Sequence, residues 1–344
     1  MDASIIIPTY NRADALLRTL EVLAKVDYPN DRWEAIVVDD GSTEDVESAV
    51  QNWIAASKVP VRYMRQKNAG PALARNNGAL AAKGHALIFI DNDIEVPPHF
   101  IQAHVKALAD HPNCWILGRI THPPQLRQTP FGRFRDDQWE AFYRENAVKR
   151  FAEVDGMSAA NVCIPADDFR KLGGFDTEFT IAGCEDLELA MRAQQIGIKV
   201  LYDPELVVIH NDWAVSIERF CERQRLYSIT DVLLWRRYGQ KSNRVALVEQ
   251  NAPINWHNDR PHQIAKKFVK ALLATRLAYN LLLMVANRVE RFAPDTGISH
   301  RAYNFVIAVA IFRGVREGLE RYAAPAQGSQ TMSQEGKSRE NSSL

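Results

Sequence analysis

Ile5-Ile6-Ile7 is a β-branched run stopped by Pro8, and the next segment, Arg12 to Val26, places Leu16, Leu17, Leu20, Leu23 and Ala24 at helical intervals. The chain therefore opens as strand, loop and helix. The alternation repeats: Trp33 to Val38 reads as a buried strand, Glu44 to Ala56 as a helix, Val61 to Met64 as a strand, Ala72 to Ala82 as a helix and Ala86 to Ile90 as a fourth strand. Strands alternating with helices across short loops predict an α/β fold, a mostly parallel central sheet flanked by helices with right-handed crossovers. Such sheets bind ligands at the carboxyl ends of their strands. Polar residues do follow the strands there: Pro8-Thr9-Tyr10-Asn11-Arg12, Asp39-Asp40-Gly41-Ser42 and Asp91-Asn92-Asp93.

From His122 to Lys149 the chain is rich in Pro, Arg and aromatic residues with poor periodicity, which predicts a long loop with some helix over one face, a candidate acceptor lid. Regular structure returns at Ser158 to Pro165, in helices over Asp167 to Leu172 and Glu185 to Ile196, and in strands at Lys199 to Tyr202 and Val207 to His210. Beyond His210 long helical patterns take over: Ser216 to Tyr238, Ile264 to Glu290 and Tyr303 to Tyr322. The expected organisation is an α/β domain over 1–212, a helical extension over 213–322 and a disordered tail over 323–344, where Gly, Ser, Gln and charge dominate.

Within Ile264 to Glu290, Lys266, Lys267, Lys270, Asn280, Asn287 and Arg288 share one broad arc, while Phe268, Leu272, Leu282 and Val285 occupy the rest. A spanning helix needs about 20 nearly uncharged apolar residues. Lys270 and Arg276 near the middle would each cost about 2.5 to 3.5 kcal/mol there, so this helix is not expected to cross a membrane. Two readings stand: the extension lies peripherally on an anionic membrane surface, or it packs against its neighbours or a second subunit in a homo-oligomer.

Composition narrows the classes. Of 344 residues 46% are hydrophobic and 24% charged, ordinary globular values that exclude a wholly disordered, collagenous or coiled-coil chain. Lys plus Arg equals Asp plus Glu at 42 each, so no whole-molecule field draws the protein onto nucleic acid. Cys114, Cys163, Cys184 and Cys221 contain no Cys-x-x-Cys pair, which argues against a zinc site or a disulfide framework. The N-terminal residues show no secretory signal, and a cytoplasmic setting is expected, with the membrane face as the alternative location.

Asp91 and Asp93 stand on one loop directly after the apolar run Leu87 to Ile90, and hard divalent cations take carboxylate, phosphate and water oxygens. An ordinary turn also uses Asp and Asn; position after a strand favours the metal. Asp39 and Asp40 follow Ile36-Val37-Val38 in the same way. Ser42 or Thr43 is expected to cap the helix that begins at Glu44, leaving both aspartates free to accept from a nucleobase N–H. Glu185 and Asp186 open a helix, where acids are favoured by the macrodipole alone.

SIIIPTYNR at 4–12, VVDDGSTED at 37–45, NAGPALARNNG at 68–78, FIDND at 89–93, GGFDTEF at 173–179, CEDLELAMRAQQIG at 184–197 and YDPELVVIH at 202–210 occur in that order. Together they resemble the family 2 inverting glycosyltransferases of the GT-A fold, over roughly the first 230 residues. The resemblance implies a nucleotide-diphosphate sugar donor, a UDP-sugar by default, and a divalent Mn²⁺ or Mg²⁺ ion. It places Pro8, Thr9, Tyr10 and Arg12 along the nucleoside, Asp40 on the base, and Asn68, Gly70 and Arg75 over base and ribose, with Asp39 and Asn92 counted among the nucleotide-sugar contacts. It puts Asp91 near the ribose or a metal-bound water, Asp93 and His210 on the metal, and the general base at Asp186. Asn161, Glu185 and Trp213 are the candidate acceptor contacts, beside Trp139 and Asp155. Arg223 and Arg225 are open between phosphate contacts and a charged helix face.

Processive synthases of the family carry Gln-x-x-Arg-Trp, whereas here Gln224 is followed by Arg225-Leu226-Tyr227-Ser228. A non-processive enzyme adding sugar to a glycan or lipid-linked acceptor, in a bacterial cell-surface glycan pathway, is the resulting expectation. The competing readings are a nucleotide-sugar-binding pseudoenzyme or scaffold, which would be expected to lose Asp93 or Asp186, and a sugar nucleotidylyltransferase, which needs a Gly-rich basic loop where PTYNR stands.

Overall fold

In the computed structural model residues 1–145, 149–212, 216–239 and 244–322 are described. Trp213 and the tail over 323–344 lie outside them. The first strands are β1 (Ala3–Thr9), β2 (Trp33–Asp39), β3 (Val61–Arg65) and β4 (Ala86–Ile90), and they run parallel in the order β3-β2-β1-β4. Their side chains alternate between two cores, as period-two geometry requires. Ile5, Ile7, Val37 and Ile88 face α1 (Ala13–Leu23), α2 (Val46–Ser57) and α4 (Phe100–Asp110). Ile6, Ile36, Val38 and Phe89 face α3 (Pro71–Ala81), α6 (Ala166–Leu172) and α7 (Glu185–Gln195).

The sheet continues through β8 (Asn161–Pro165), β6 (Cys114–Thr121) and β9 (Lys199–His210) to the two-residue β5 (Ile94–Glu95), with the short β7 (Ala152–Glu153) also on β9. β8 is antiparallel to both neighbours, while β9 is parallel to β6. This reversal matters for the site, because the end of the sheet that carries the loops after β1, β2 and β4 also receives the loop before β8 and the ends of β6 and β9. The two strands expected at Lys199 and Val207 form one, irregular where Asp203 and Val207 face Gly118 and Arg119 in succession. β6 and α4 had no counterpart in the periodicity reading.

The expected lid contains a 3₁₀ turn at Pro124–Gln128 and helix α5 (Pro130–Glu145). The C-terminal layer is α8 (Ile217–Tyr238), α9 (Val245–Asn251), α10 (Pro261–Leu273), α11 (Arg276–Phe292) and α12 (Gly297–Arg321). The single helix expected over Ile264 to Glu290 is two, bent by 95° at Ala274-Thr275, where Thr275 takes extended backbone as the residue before α11. Gly314 and Gly318 of α12 let it lie directly on α8: a Cβ at Gly314 would stand 2.1 Å from the Arg225 carbonyl.

Candidate active site

Three loop ends are tied together before any ligand is considered. Asn11, in left-handed backbone at φ 51°, donates its N–H to Ser42 Oγ at 2.8 Å, and its side-chain oxygen accepts from Thr43 N at 2.7 Å. Ser42 and Thr43 are thereby used in the loop; the cap of α2 is Asp45, which accepts from Ser48 N at 3.0 Å. Nor are Asp39 and Asp40 free acceptors. Asp39 takes Ser42 N at 2.8 Å and Tyr63 OH at 2.7 Å, and Asp40 takes Gln66, Ala69 N and Gly70 N at 2.8 to 2.9 Å. Both are buried, because a carboxylate is tolerated inside only when donors surround it. A base N–H would share or displace these bonds.

Asn92 is likewise turned inward, donating to Thr9 Oγ1 at 2.8 Å, while its carbonyl accepts from Thr19. It is a brace between β1 and the loop after β4, not an open ligand contact. Pro8 lies within the β1–β2 ladder opposite Val38, so β1 is not stopped there and runs to Thr9; Tyr10 and Asn68 are exposed, and Arg12 reaches Asp93 at 2.9 Å.

The antiparallel pairing of Ile94 with His210 sets Asp93 beside the end of β9. His210 Nε2 lies 3.1 Å from Asp93 Oδ1, and Asn211 N donates to the Asp93 carbonyl. Burial would raise the Asp93 carboxyl, but the hydrogen bond and charge of His210 and the Arg12 guanidinium outweigh it and hold the group at about 2. Oδ2 of Asp93 is buried and, despite the nearby Arg12 nitrogen, has no hydrogen bond of ordinary geometry. An ionised carboxylate next to an imidazole suits a hard divalent cation completed by water and phosphate oxygens, which would take the place of the Arg12 guanidinium on Oδ2. Among the described residues no three His, Cys, Asp or Glu side chains already converge as a full ligand set. Arg75 holds Asp91 Oδ1 at 2.8 Å.

A cavity of about 630 Å³ opens at this edge, and it collects Arg75, Asp91, Glu185, Asp186 and His210 from the expected set. Arg75 is buried, not a solvated helix residue, and it bridges Asp91 and Glu185, each at 2.8 Å. Glu185 also accepts from Gly183 N at 2.7 Å, so its oxygens serve the local structure and not an acceptor. Asp186 accepts from Leu187 N at 2.7 Å and from Ala159 N at 3.3 Å. Burial and the neighbouring Glu185 charge push its carboxyl up to about 7, against the lowering effect of Arg75. That is the range in which a carboxylate works as a base near neutrality.

Among the other acceptor candidates, Trp213 lies outside the described residues. Asn161 is fully buried and stitches three strands, donating from Nδ2 to the Arg119 and Leu206 carbonyls and accepting at Oδ1 from His104 Nε2. Trp139 does line the cavity, its indole N–H bonded to the Ile120 carbonyl at 2.9 Å. Arg223 lines it too, paired with Asp212, whereas Arg225 points away to Glu222 and Glu317. Residues the sequence reading missed complete the wall. Arg135 pairs with Asp212 at 2.9 Å, and His122 is pushed down to about 4 by burial and by the adjacent Arg135 and His210 charges. Gln224, Tyr227, Asn304 and Ile307 come from the helical layer.

A family model described as glycosyl transferase family 2 matches residues 4–172. Residues 4–172, the greater part of the α/β sheet, belong to that family. Validoxylamine A glucosyltransferase of Streptomyces hygroscopicus subsp. jinggangensis is 32% identical over 259 residues, 67% of this chain and 58% of its own length. Chondroitin synthase of Escherichia coli is 30% identical over 224 residues, 56% of this chain and 32% of that one. This chain therefore spans only about a third to somewhat over half the length of these curated relatives. Among solved structures, a mannosyltransferase from Pyrobaculum calidifontis with GDP-Man and Mn²⁺ superposes with a TM-score of 0.60 at 20% identity, over 90% of this chain and 86% of the other. S. aureus TarS matches with a TM-score of 0.50 at 18% identity, over 92% of this chain and 55% of that one. These likenesses show the GT-A fold, a central mixed sheet flanked by helices, in this chain.

Proposed function

We propose that this chain is an inverting, non-processive glycosyltransferase that moves a sugar from a nucleoside-diphosphate sugar, by default a UDP-sugar, to a hydroxyl of a glycan or lipid-linked acceptor. The observation that carries the reading is one cavity with His210, the partner of Asp93, and Asp186, a carboxyl that burial and the Glu185 charge push up to about 7, both on its wall. The glycosyltransferase names of the sequence relatives, and GDP-Man with Mn²⁺ in the Pyrobaculum structure, support the donor class and the metal.

In this reading Asp93 and His210 hold the divalent ion, which when bound would neutralise charge on the departing diphosphate. Asp186 takes the proton of the acceptor hydroxyl as its oxygen bonds to the anomeric carbon and the bond to the diphosphate oxygen breaks. One displacement inverts the anomeric centre without a covalent intermediate. Arg75 keeps Glu185 and Asp91 in place beside the reacting groups, and Trp139 offers an aromatic face to a sugar ring.

Calorimetric titration with UDP, dTDP and GDP, with and without Mn²⁺, tests the donor site. Metal-dependent binding of one of them is expected; a folded protein that binds none would leave the scaffold reading in place.

A further inference from the structure

The outward faces of α10 and α11 are apolar. Phe268 and Leu272 on α10, and Leu277, Leu281, Met284 and Phe292 on α11, are all exposed, Leu277 by 84% and Phe292 by 75%. Helical spacing places the α11 set on one stripe with Arg288 among them. Tyr279 and Ala286 on the opposite side of α11 are buried in the core shared with α12. Ile298, 64% exposed, extends the surface, sharing an apolar groove with Met284 and Phe292. Single exposed apolar residues need no explanation, but six on two consecutive helices mark a contact surface.

Charge identifies what the surface fits. From Arg260 to Arg301 the sequence holds eight Lys and Arg against two acids, Glu290 and Asp295, in a chain balanced at 42 of each sign. Both acids are engaged, Glu290 by the Tyr303 hydroxyl and Asp295 by Arg133. The basic arc expected from spacing is not the one that forms. Lys267 is buried against Asp259 and Lys270 bonds Asn251, so within α10 and α11 the outward cations are Lys266, Arg276, Arg288 and Arg291, with Arg260 and Arg301 exposed at the flanks.

We propose that α10 and α11 dock this chain onto an anionic lipid surface, lying in the headgroup plane. Exposed Leu, Met and Phe flanked by Lys and Arg is the chemistry such an interface selects, and long basic side chains within the stripe reach the headgroups from an apolar bed. A second copy of the same face would bring two cationic segments together. No single helix among the described residues is long and apolar enough to cross a bilayer; α10 and α11 reach that length and apolarity only as a pair bent by 95°, and that bend, with α12 covering the inner side of α11, favours lying on the surface over spanning it. α12 also carries Asn304 and Ile307 into the cavity wall, which sets the cavity close to the docked face.

The test is co-flotation of the 344-residue chain with vesicles of phosphatidylcholine alone and of an equal mixture of phosphatidylcholine and phosphatidylglycerol. Binding to the mixed vesicles, weakened by salt, is expected. Leu277→Ser with Leu281→Ser and Phe292→Ser should reduce it by about tenfold or more, and Arg288→Gln with Arg291→Gln should remove most of its salt dependence. These positions are exposed, so folding is checked by an unchanged melting temperature. Absence of binding to either vesicle, binding indifferent to both variant sets, or self-association that depends on the same residues without vesicle binding would each overturn the proposal. The readout does not use transfer activity and stands or falls apart from the proposed reaction.

Discussion

Arg75 Nη1 stands 2.8 Å from Glu185 Oε1, an ion pair buried at both ends that joins α3 to the first turn of α7 across 110 residues of chain. The acidic helix start is thus fixed from outside α7, by the same guanidinium that grips Asp91.

Arg75→Gln leaves Glu185 as a buried charge without its partner, which costs roughly 3–5 kcal/mol. It also removes the group that lowers the Asp186 carboxyl. Denaturant unfolding should show the loss in stability, and the pH at which kcat is half-maximal should move up relative to the parent protein.

Asp186→Asn should reduce kcat by about 10² to 10⁴ if a single positioned base is lost, while calorimetry shows nucleotide affinity within about twofold of the parent. Because the change removes a charge that burial penalises, the variant should melt no lower than the parent at pH 8. Transfer that survives at the parental rate would move the base to another residue.

The pH profile follows from the sign of the same shift. Asp186 is active as the carboxylate, and its carboxyl loses the proton at about 7. Activity should therefore fall about tenfold per unit as pH drops below that value, and level off above it. A flat profile between pH 5 and 7 would exclude Asp186 as the base.

Asp93→Asn and His210→Ala should each lower the Mn²⁺-dependent part of nucleotide affinity by roughly tenfold or more, since each removes a proposed ligand. Titration with and without the metal separates this from loss of the nucleoside contacts, which should persist.

Gly70 has φ 94°, its N–H bonds Asp40, and a Cβ there would stand 2.5 Å from the Thr180 carbonyl oxygen. Gly70→Ala should cost about 1–3 kcal/mol through backbone strain and that clash. Thr180 lies on the segment that leads into α7, so kcat should fall together with the melting temperature.

The strand-end carboxylates were legible because each follows an apolar run of strand length, and the order of motifs pointed to Asp186 where spacing alone explains an acidic helix start equally well. Asp39, Asp40 and Asn92 show the limit of that reading. Their type and place were evident, but whether an Asp faces a ligand or the N–H groups of its own loop is decided by tertiary contacts. His122, Arg135, Asp212 and Arg223 meet from the end of β6, α5, the segment after β9 and α8, and no sequence interval relates them. The break between α10 and α11 was hidden for a simpler reason: Ala274 and Thr275 are neither Gly nor Pro, and the apolar spacing continues across the bend.

Gln224 and Tyr227 on α8 and Asn304 and Ile307 on α12 face the same chamber as Asp186, and α8 and α12 are locked by the close approach at Gly314 and Gly318. In the proposed reading the donor groups sit on the sheet edge, and the helical layer supplies the facing wall. A fragment ending before α8 would keep the carboxylates and lose one wall of the chamber, which α8 and α12 supply only as a packed pair.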